Sequence, residues 1–398
     1  MIDKPETIFA GFGDLAELGP VITHEVTDYG WRGLTMDGEV LEVKSANGHK
    51  VNVPDEITVT FRGKAIGVRP INKPPKRIDI GEYVDWFNSA IEDYRHGNLS
   101  MALLHADAAI ALAPTLRARF NRAMILLAMG RWREGLPEYD DLEQYAPFIR
   151  PPVREALAAG LKIWRGEELA GKRLLVIHAH GFGDTLQCLR YVPRLRAMGA
   201  KVSMRLPDEL ARLVQPYGSF FDPECDYFVP FLHLLTRLQV EPDAEPDLPY
   251  LEVDPCLLEK WRAHLGPAPR KRIGIAWSVG KPSNGDYPRA ILPEQLVQAI
   301  DGELHSVQIQ AGELARALGI QPHGFEDFAD CAALMLCMDE IVTVDTAAVH
   351  LAGAIGHPNV KLLLSKWASW RWVKNWYPNV TICRQISDGN WASALAQC

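Results

Sequence analysis

Glu340-Ile-Val-Thr-Val-Asp-Thr-Ala-Ala-Val-His-Leu-Ala-Gly-Ala-Ile-Gly-His-Pro358 reads as a buried β-strand delivered straight into an α-helix. The apolar run ends at Val344, and Asp345 and Thr346 open the helix. Ala347 and Ala348 are small enough to let an anion approach the backbone N–H groups of the first turn, and Thr346 adds a hydroxyl. His350 follows Thr346 at i, i+4, so both lie on one helix face. Gly356 and Pro358 stop the helix. The same residues also suit a capped, tightly packed α/β crossover in which His350 is simply buried.

Working outward, Arg272-Ile-Gly-Ile-Ala-Trp277 is a second apolar run of parallel-strand type, and Ser306–Gln310 and Val360–Leu364 continue the series. An acidic, proline-rich stretch, Glu241–Pro249, separates this series from an earlier one. There, Arg173-Leu-Leu-Val-Ile-His178 runs into Gly181-Phe-Gly183, a helix expected from Asp184 to about Ala197, and a strand at Lys201–Leu206. Two βα series with a break near 250–270 predict two Rossmann-like domains, 166–257 and 258–398, facing across a cleft.

Residues 79–165 have a different character. From 82 to 146 the chain is rich in Ala and Leu with helical spacing. Gly97, Leu99, Ala102, Ala106 and Pro114 recur as Gly130, Trp132, Gly135, Tyr139 and Pro147, offset by 33. Small residues at helix crossings and a closing Pro resemble the tetratricopeptide repeat. Two such units need a neighbour to cover their faces, so they are expected to dock on the domain that follows. Residues 1–78 predict a small β-rich domain. Its turn signals are Asp37-Gly38 and Asn47-Gly48, its strands Glu39–Val43, Lys50–Val53 and Ile57–Phe61, and a Pro-containing linker follows at Pro70–Lys76.

The 398 residues carry 42 Lys and Arg against 50 Asp and Glu, a formal charge of −8, which argues against a sequence-independent grip on nucleic acid. Seven cysteines without a Cys-x-x-Cys pair read as reduced, mostly buried thiols rather than bridges or a zinc site. The first residues lack a signal-peptide pattern and no apolar run is long enough to span a bilayer, so a cytoplasmic location is expected.

The Gly-rich turn His178-Ala-His-Gly-Phe-Gly-Asp-Thr-Leu-Gln187 brings backbone N–H groups to the carboxyl edge of the first sheet. Asp184 there is either a helix cap or a carboxylate aimed into the cleft. Leu186 stands where a third glycine of G-x-G-x-x-G would fall, so this is not a dinucleotide fingerprint. A metal shared by His178 and His180 is not expected; His180, Gly181, Gly183 and Gln187 are candidates for the cleft or an acceptor. No Asp-x-Asp pair occurs, which favours phosphate neutralisation by helix dipoles and basic residues over a metal clamp. Ala276–Arg289 forms a polar loop facing the same cleft, with Ser278, Lys281 and Arg289. The aromatics of Trp367–Pro378 suit base stacking or domain-packing core.

Gly-Phe-Gly-Asp-Thr-Leu-Gln, Ala-Trp-Ser, Val-Asp-Thr-Ala-x-x-His-Leu-Ala-Gly-Ala-x-Gly-x-Pro, and Trp-Arg-Trp followed by Trp-Tyr-Pro occur in this order, with Trp164-Arg-Gly-Glu-Glu-Leu-Ala-Gly-Lys172 leading into the first strand. Residues 82–397 thereby resemble a bacterial tetratricopeptide-repeat protein fused to a heptosyltransferase-like glycosyltransferase. That resemblance implies a GT-B fold and metal-independent transfer of a sugar from a nucleotide-sugar donor to a hydroxyl of a glycan or protein acceptor, which can be docked on the repeats. The nucleotide sugar is then a substrate, and no cofactor or metal is implied. The resemblance assigns Asp184 as general base, and Asp345, Thr346, Ala347, Ala348, His350, Ser278 and Arg289 to the donor. The chain departs from the pattern at Ala347, often Gly, and at Ala179 and His180, where repeat-fused relatives carry an acidic residue and Gln. A catalytically silent scaffold for protein partners and a sugar-nucleotide epimerase on the same architecture are the alternatives.

Overall fold

The structure, a computed structural model, describes residues 79–143, 148–215, 224–240, 248–278, 289–308, 312–325, 327–366 and 369–398, with the backbone of six strands between residues 6 and 68. The chain divides into two compact units, 1–149 and 150–398.

In the first unit β1 (Glu6–Phe9), β2 (Val21–Thr27), β3 (Gly30–Thr35) and β4 (Val40–Lys44) form an antiparallel sheet in the order β1-β4-β3-β2. The β3–β4 pairing, Leu34 opposite Val40, is the hairpin that Asp37-Gly38 predicts. A separate hairpin joins β5 (Ile57–Phe61) to β6 (Lys64–Val68). The expected strand Lys50–Val53, both Asp-Gly and Asn-Gly turns and the linker at Pro70–Lys76 lie outside the described residues.

Four helices follow: α1 (Ile80–His96), α2 (Leu99–Leu112), α3 (Leu116–Ala128) and α4 (Trp132–Leu142). The 33-residue offset is physical. Gly97 ends α1 and Gly130 follows α3 with φ of 78° and 74°, a left-handed turn that an L side chain resists. Asp79 and Thr115 cap α1 and α3, each accepting an N–H three residues on at 3.1 Å. Ala102 and Ala106 are buried at the α2 crossing. At the equivalent of Ala102, a Cβ on Gly135 would lie 2.9 Å from Leu127, so only glycine fits there without repacking.

The second unit is α/β with two parallel sheets. After α5 (Pro151–Ala158) come β7 (Arg173–Ile177), α6 (Phe182–Cys188), α7 (Val192–Ala197), β8 (Lys201–Arg205), α8 (Asp208–Val214), β9 (Tyr227–Pro230) and α9 (Leu234–Arg237); the sheet order is β8-β7-β9. The second half holds α10 (Pro255–Leu265), β10 (Arg272–Ala276), α11 (Pro293–Ala299), β11 (Glu303–Ser306), α12 (Gly312–Ala317), α13 (Phe328–Met335), β12 (Glu340–Val344), α14 (Ala347–Ala354), β13 (Val360–Leu364), β14 (Val380–Arg384) and α15 (Trp391–Leu395), with order β11-β10-β12-β13-β14. Leu174 to Ile177 are at most 1% exposed. Each such side chain contributes about 1.5–3 kcal/mol relative to an exposed position. Both sheets reverse strand order beside their first strand, which opens a crevice at the carboxyl ends.

Two expected elements change their bounds. The helix expected from Asp184 starts at Phe182 and breaks at Leu189–Tyr191 into a 3-10 turn before Pro193, which cannot donate within a helix. The strand expected at Ser306–Gln310 runs from Glu303 to Ser306; His305 is a buried polar residue whose Nδ1 lies 2.9 Å from His323 Nε2, so the segment lacks an apolar signature. Cysteine burial is also mixed: all seven are free thiols, three buried, two half-buried, and Cys256 and Cys398 exposed.

The halves are tied together by named contacts. Arg212 on α8 makes a two-pronged bond to Asp327 at 2.7 and 2.8 Å. Arg190 donates to the Trp376 carbonyl at 3.1 Å and to the Tyr250 hydroxyl at 3.3 Å. Its guanidinium lies 4.7 Å from the Tyr377 ring centre and 4.8 Å from that of Tyr250. Cation–π contacts of this partly desolvated kind stabilise by about 0.5–2 kcal/mol. Among the described residues no helix is long and apolar enough to cross a membrane.

Candidate active site

A cavity of about 710 Å³ opens at the carboxyl ends of both sheets. The turn after β7 supplies Gly181, Phe182, Gly183 and Asp184. The loop ends around β10 and β11 supply Ser278, Arg289 and Gln308. The β12–α14 junction supplies Asp345, Thr346, Ala347, Ala348 and His350, and the segment after β13 supplies Ser369 and Arg371. Asp184 and all seven residues assigned to the donor therefore meet at one cavity. Of the other four cleft candidates, Gly181 and Gly183 line it. Gln187 is fully buried and does not, and His180 stands off the wall, its ring 6.2 Å from that of His233. Lys281 lies outside the described residues.

Asp184 is the third residue of α6, not its cap. One carboxylate oxygen accepts the Gly181 N–H at 3.2 Å; the other accepts Arg371 Nε at 2.5 Å. Burial alone would push this carboxyl up, but the charge of Arg371, then His180, and the Arg371 hydrogen bond outweigh it. The group is held below the usual carboxylate range.

On the opposite wall Thr346 caps α14, its hydroxyl accepting the Ala348 N–H at 3.2 Å. The same hydroxyl lies 3.4 Å from that of Thr343, and the helix dipole makes this end favourable for an anion. Asp345 is buried; Trp372 Nε1 donates to it at 2.7 Å, and Arg289 Nη1 lies 3.6 Å from its other oxygen. His350 stacks on Trp372, with ring centres 5.3 Å apart, and its Nδ1 is 3.0 Å from the Tyr377 hydroxyl. Burial pushes its pKa down to about 4, so the imidazole is neutral at pH 7. Trp370, Trp372, Trp376 and Tyr377 are all at most 2% exposed, so these aromatics are packing core that fixes Asp345 and His350.

Three arginines (150, 289 and 371) and three carboxylates (184, 209 and 345) share the wall. Among the described residues no group of three or more His, Cys, Asp or Glu side chains is placed to hold a metal ion. Sequence reasoning missed Arg150, Glu209, Gln308 and Arg371. The one available signal for Arg371 was a cation set between two tryptophans. Gln308 closes the loop after β10, its amide oxygen accepting the Trp277 N–H at 3.0 Å.

No protein-family model matches the chain. The chain is 27% identical over 369 residues to protein FlbA of Caulobacter vibrioides, covering 78% of this chain. It spans 60% of the length of that curated relative. Among solved structures it is similar to the E. coli ADP-heptose LPS heptosyltransferase II at 13% identity and a TM-score of 0.40, covering 56% of this chain and 97% of that one. It is also similar to a glycosyl transferase family 9 protein from Veillonella parvula at 11% identity and a TM-score of 0.42, covering 58% and 92%.

Proposed function

We propose that residues 150–398 transfer a sugar from a nucleotide-sugar donor to a hydroxyl acceptor without a divalent metal. The observation that carries this reading is the placement of Asp184 and the first turn of α14 on one cavity, with Arg289 and Arg371 beside them. The α14 N-terminus, the Thr346 hydroxyl and Arg289 bind the diphosphate and stabilise the charge that develops on it. Asp184 takes the proton of the acceptor hydroxyl as its oxygen attacks the anomeric carbon. The bond from that carbon to the diphosphate oxygen breaks, and its electron pair leaves with the nucleoside diphosphate. His350, neutral and clamped by Trp372 and Tyr377, lines the donor side as a hydrogen-bonding group rather than a cation.

The acceptor in this proposal is a glycan or protein, and the helical hairpins of residues 80–142 are its candidate recognition element. The test is incubation of the full chain with a panel of nucleotide sugars, read by thermal shift and nucleoside diphosphate release, with and without chelator. Donor-specific stabilisation and release that survive chelator support the reading. No response to any donor rejects it, and loss in chelator with rescue by manganese or magnesium rejects the metal-independent form.

A further inference from the structure

The acid proposed as the base is already paired. Arg371 Nε holds Asp184 Oδ1 at 2.5 Å, and the two side chains are 20% and 13% exposed. They come from opposite halves: Asp184 from α6 after β7, Arg371 from the 3-10 turn Trp370–Trp372 after β13. Arg371 also lies over Trp370, with its guanidinium carbon 4.5 Å from the ring centre, and its Nη1 reaches Ser369 Oγ at 3.3 Å. Both Arg371 and Ser369 line the wall shared with Thr346 and Ala347. One guanidinium therefore serves the Asp184 carboxylate and stands beside the subsite proposed for phosphate.

We propose that Arg371 is a shared positioning residue: the donor's diphosphate draws it away from Asp184, so that the base is released only once the donor is in place. The inference rests on the glycosyl-transfer reading. A carboxylate clamped by an arginine is a poor proton acceptor, because protonating it breaks a charge-assisted pair. A guanidinium fork fits phosphate as well as carboxylate, so a diphosphate seated beside Arg371 competes with Asp184 for the same donors.

The groups facing Asp184 are Arg371 from the second half, His178 and His180 from the end of β7, and His350 from α14, with Glu209 on the same cavity wall. Paired with Asp184, Arg371 holds the carboxyl below its usual range. With Arg371 withdrawn and phosphate charge nearby, that pKa rises. Between the two values the bound form carries more protons, so binding takes up protons and tightens as pH falls.

The experiment is calorimetric titration of the full chain with UDP, GDP and ADP at pH 5.5, in two buffers of different ionisation heat. Asp184→Asn frees Arg371 and is expected to tighten binding about tenfold, the gain when a competent state held to about a tenth becomes fully populated. Proton uptake seen in the wild type is expected to shrink in Asp184→Asn. Arg371→Lys keeps the charge without the fork and tests the same coupling in a conservative variant, and Asp184→Asn in that background is expected to tighten binding less. A nucleoside diphosphate that binds wild type and Asp184→Asn with equal affinity and equal proton uptake overturns the sharing while leaving the glycosyl-transfer reading intact. Failure of all three to bind either protein overturns both.

Discussion

Gly183 and His350 meet across the cavity so closely that a Cβ on Gly183 would lie 2.7 Å from His350 Cδ2. The imidazole cannot yield, because Trp372 stacks on one face and Tyr377 holds Nδ1. The helices α6 and α14 thus approach at a position where only glycine fits. Gly183→Ala is expected to destabilise the chain by about 1–3 kcal/mol, the usual result of overpacking, and to lower Tm by about 2–10 °C. Calorimetry of the two proteins checks this, and an unchanged Tm would show that the approach is looser.

Asp184→Asn separates a catalytic acid from a structural one. Asn still accepts the Gly181 N–H, so the turn is retained. Transfer is expected to fall about 100-fold or more, the scale of a general-base contribution. Turnover within a few-fold of wild type would remove Asp184 from the chemistry. Because Arg371 links this acid to the donor wall, donor affinity is expected to change as well, which sequence reasoning alone would not anticipate.

Charge reversal at Arg289, beside Asp345, is expected to weaken nucleoside diphosphate binding about tenfold or more, since two negative groups would then face the phosphate. Reversal of the exposed Lys201, at the start of β8, is the control and is expected to change little. Calorimetric affinities of the two variants decide the point, and equal, negligible effects would place the diphosphate elsewhere.

Stability should depend on pH in a defined window. Burial lowers the pKa of His350, His305 and His323 from 6.5 to about 4. Between those values the unfolded chain binds more protons than the folded one, so stability falls as pH falls from about 6.5 to 4. Above 6.5 these residues contribute no slope. Urea midpoints across pH 4–8 measure it, and His350→Gln is expected to flatten the curve in that interval. A midpoint that stays level from 6.5 to 4 would mean that the imidazoles are solvated.

Much of the second half was legible because a parallel strand covered on both faces must be a short apolar run followed at once by a helix signal. The strands Glu340–Val344 and Val360–Leu364 fall where that rule puts them. It failed at β11, where two of the three buried positions, His305 and Ser306, are polar, and His305 finds its partner in His323. The strand β9 was likewise not read, as Tyr227–Pro230 is too short to show a period. In the helical region Gly97 and Gly130 were informative because a left-handed turn leaves few choices of residue.

For the cavity, the sequence determined which residue types stand at the ends of the strands: Asp184 after β7, Ser278 after β10, and Asp345 with Thr346 after β12. Local rules suffice there, since strand, turn and cap are set by neighbours within a few residues. Which side chains meet was decided only by the tertiary structure. Arg371 is 187 residues from the carboxylate it holds, and His350 is 167 from the glycine it packs on. No periodicity or spacing encodes such a pair. It forms because two sheets, each with its own reversal of strand order, bring their carboxyl edges to one crevice, and the charges left there must find partners as water is excluded.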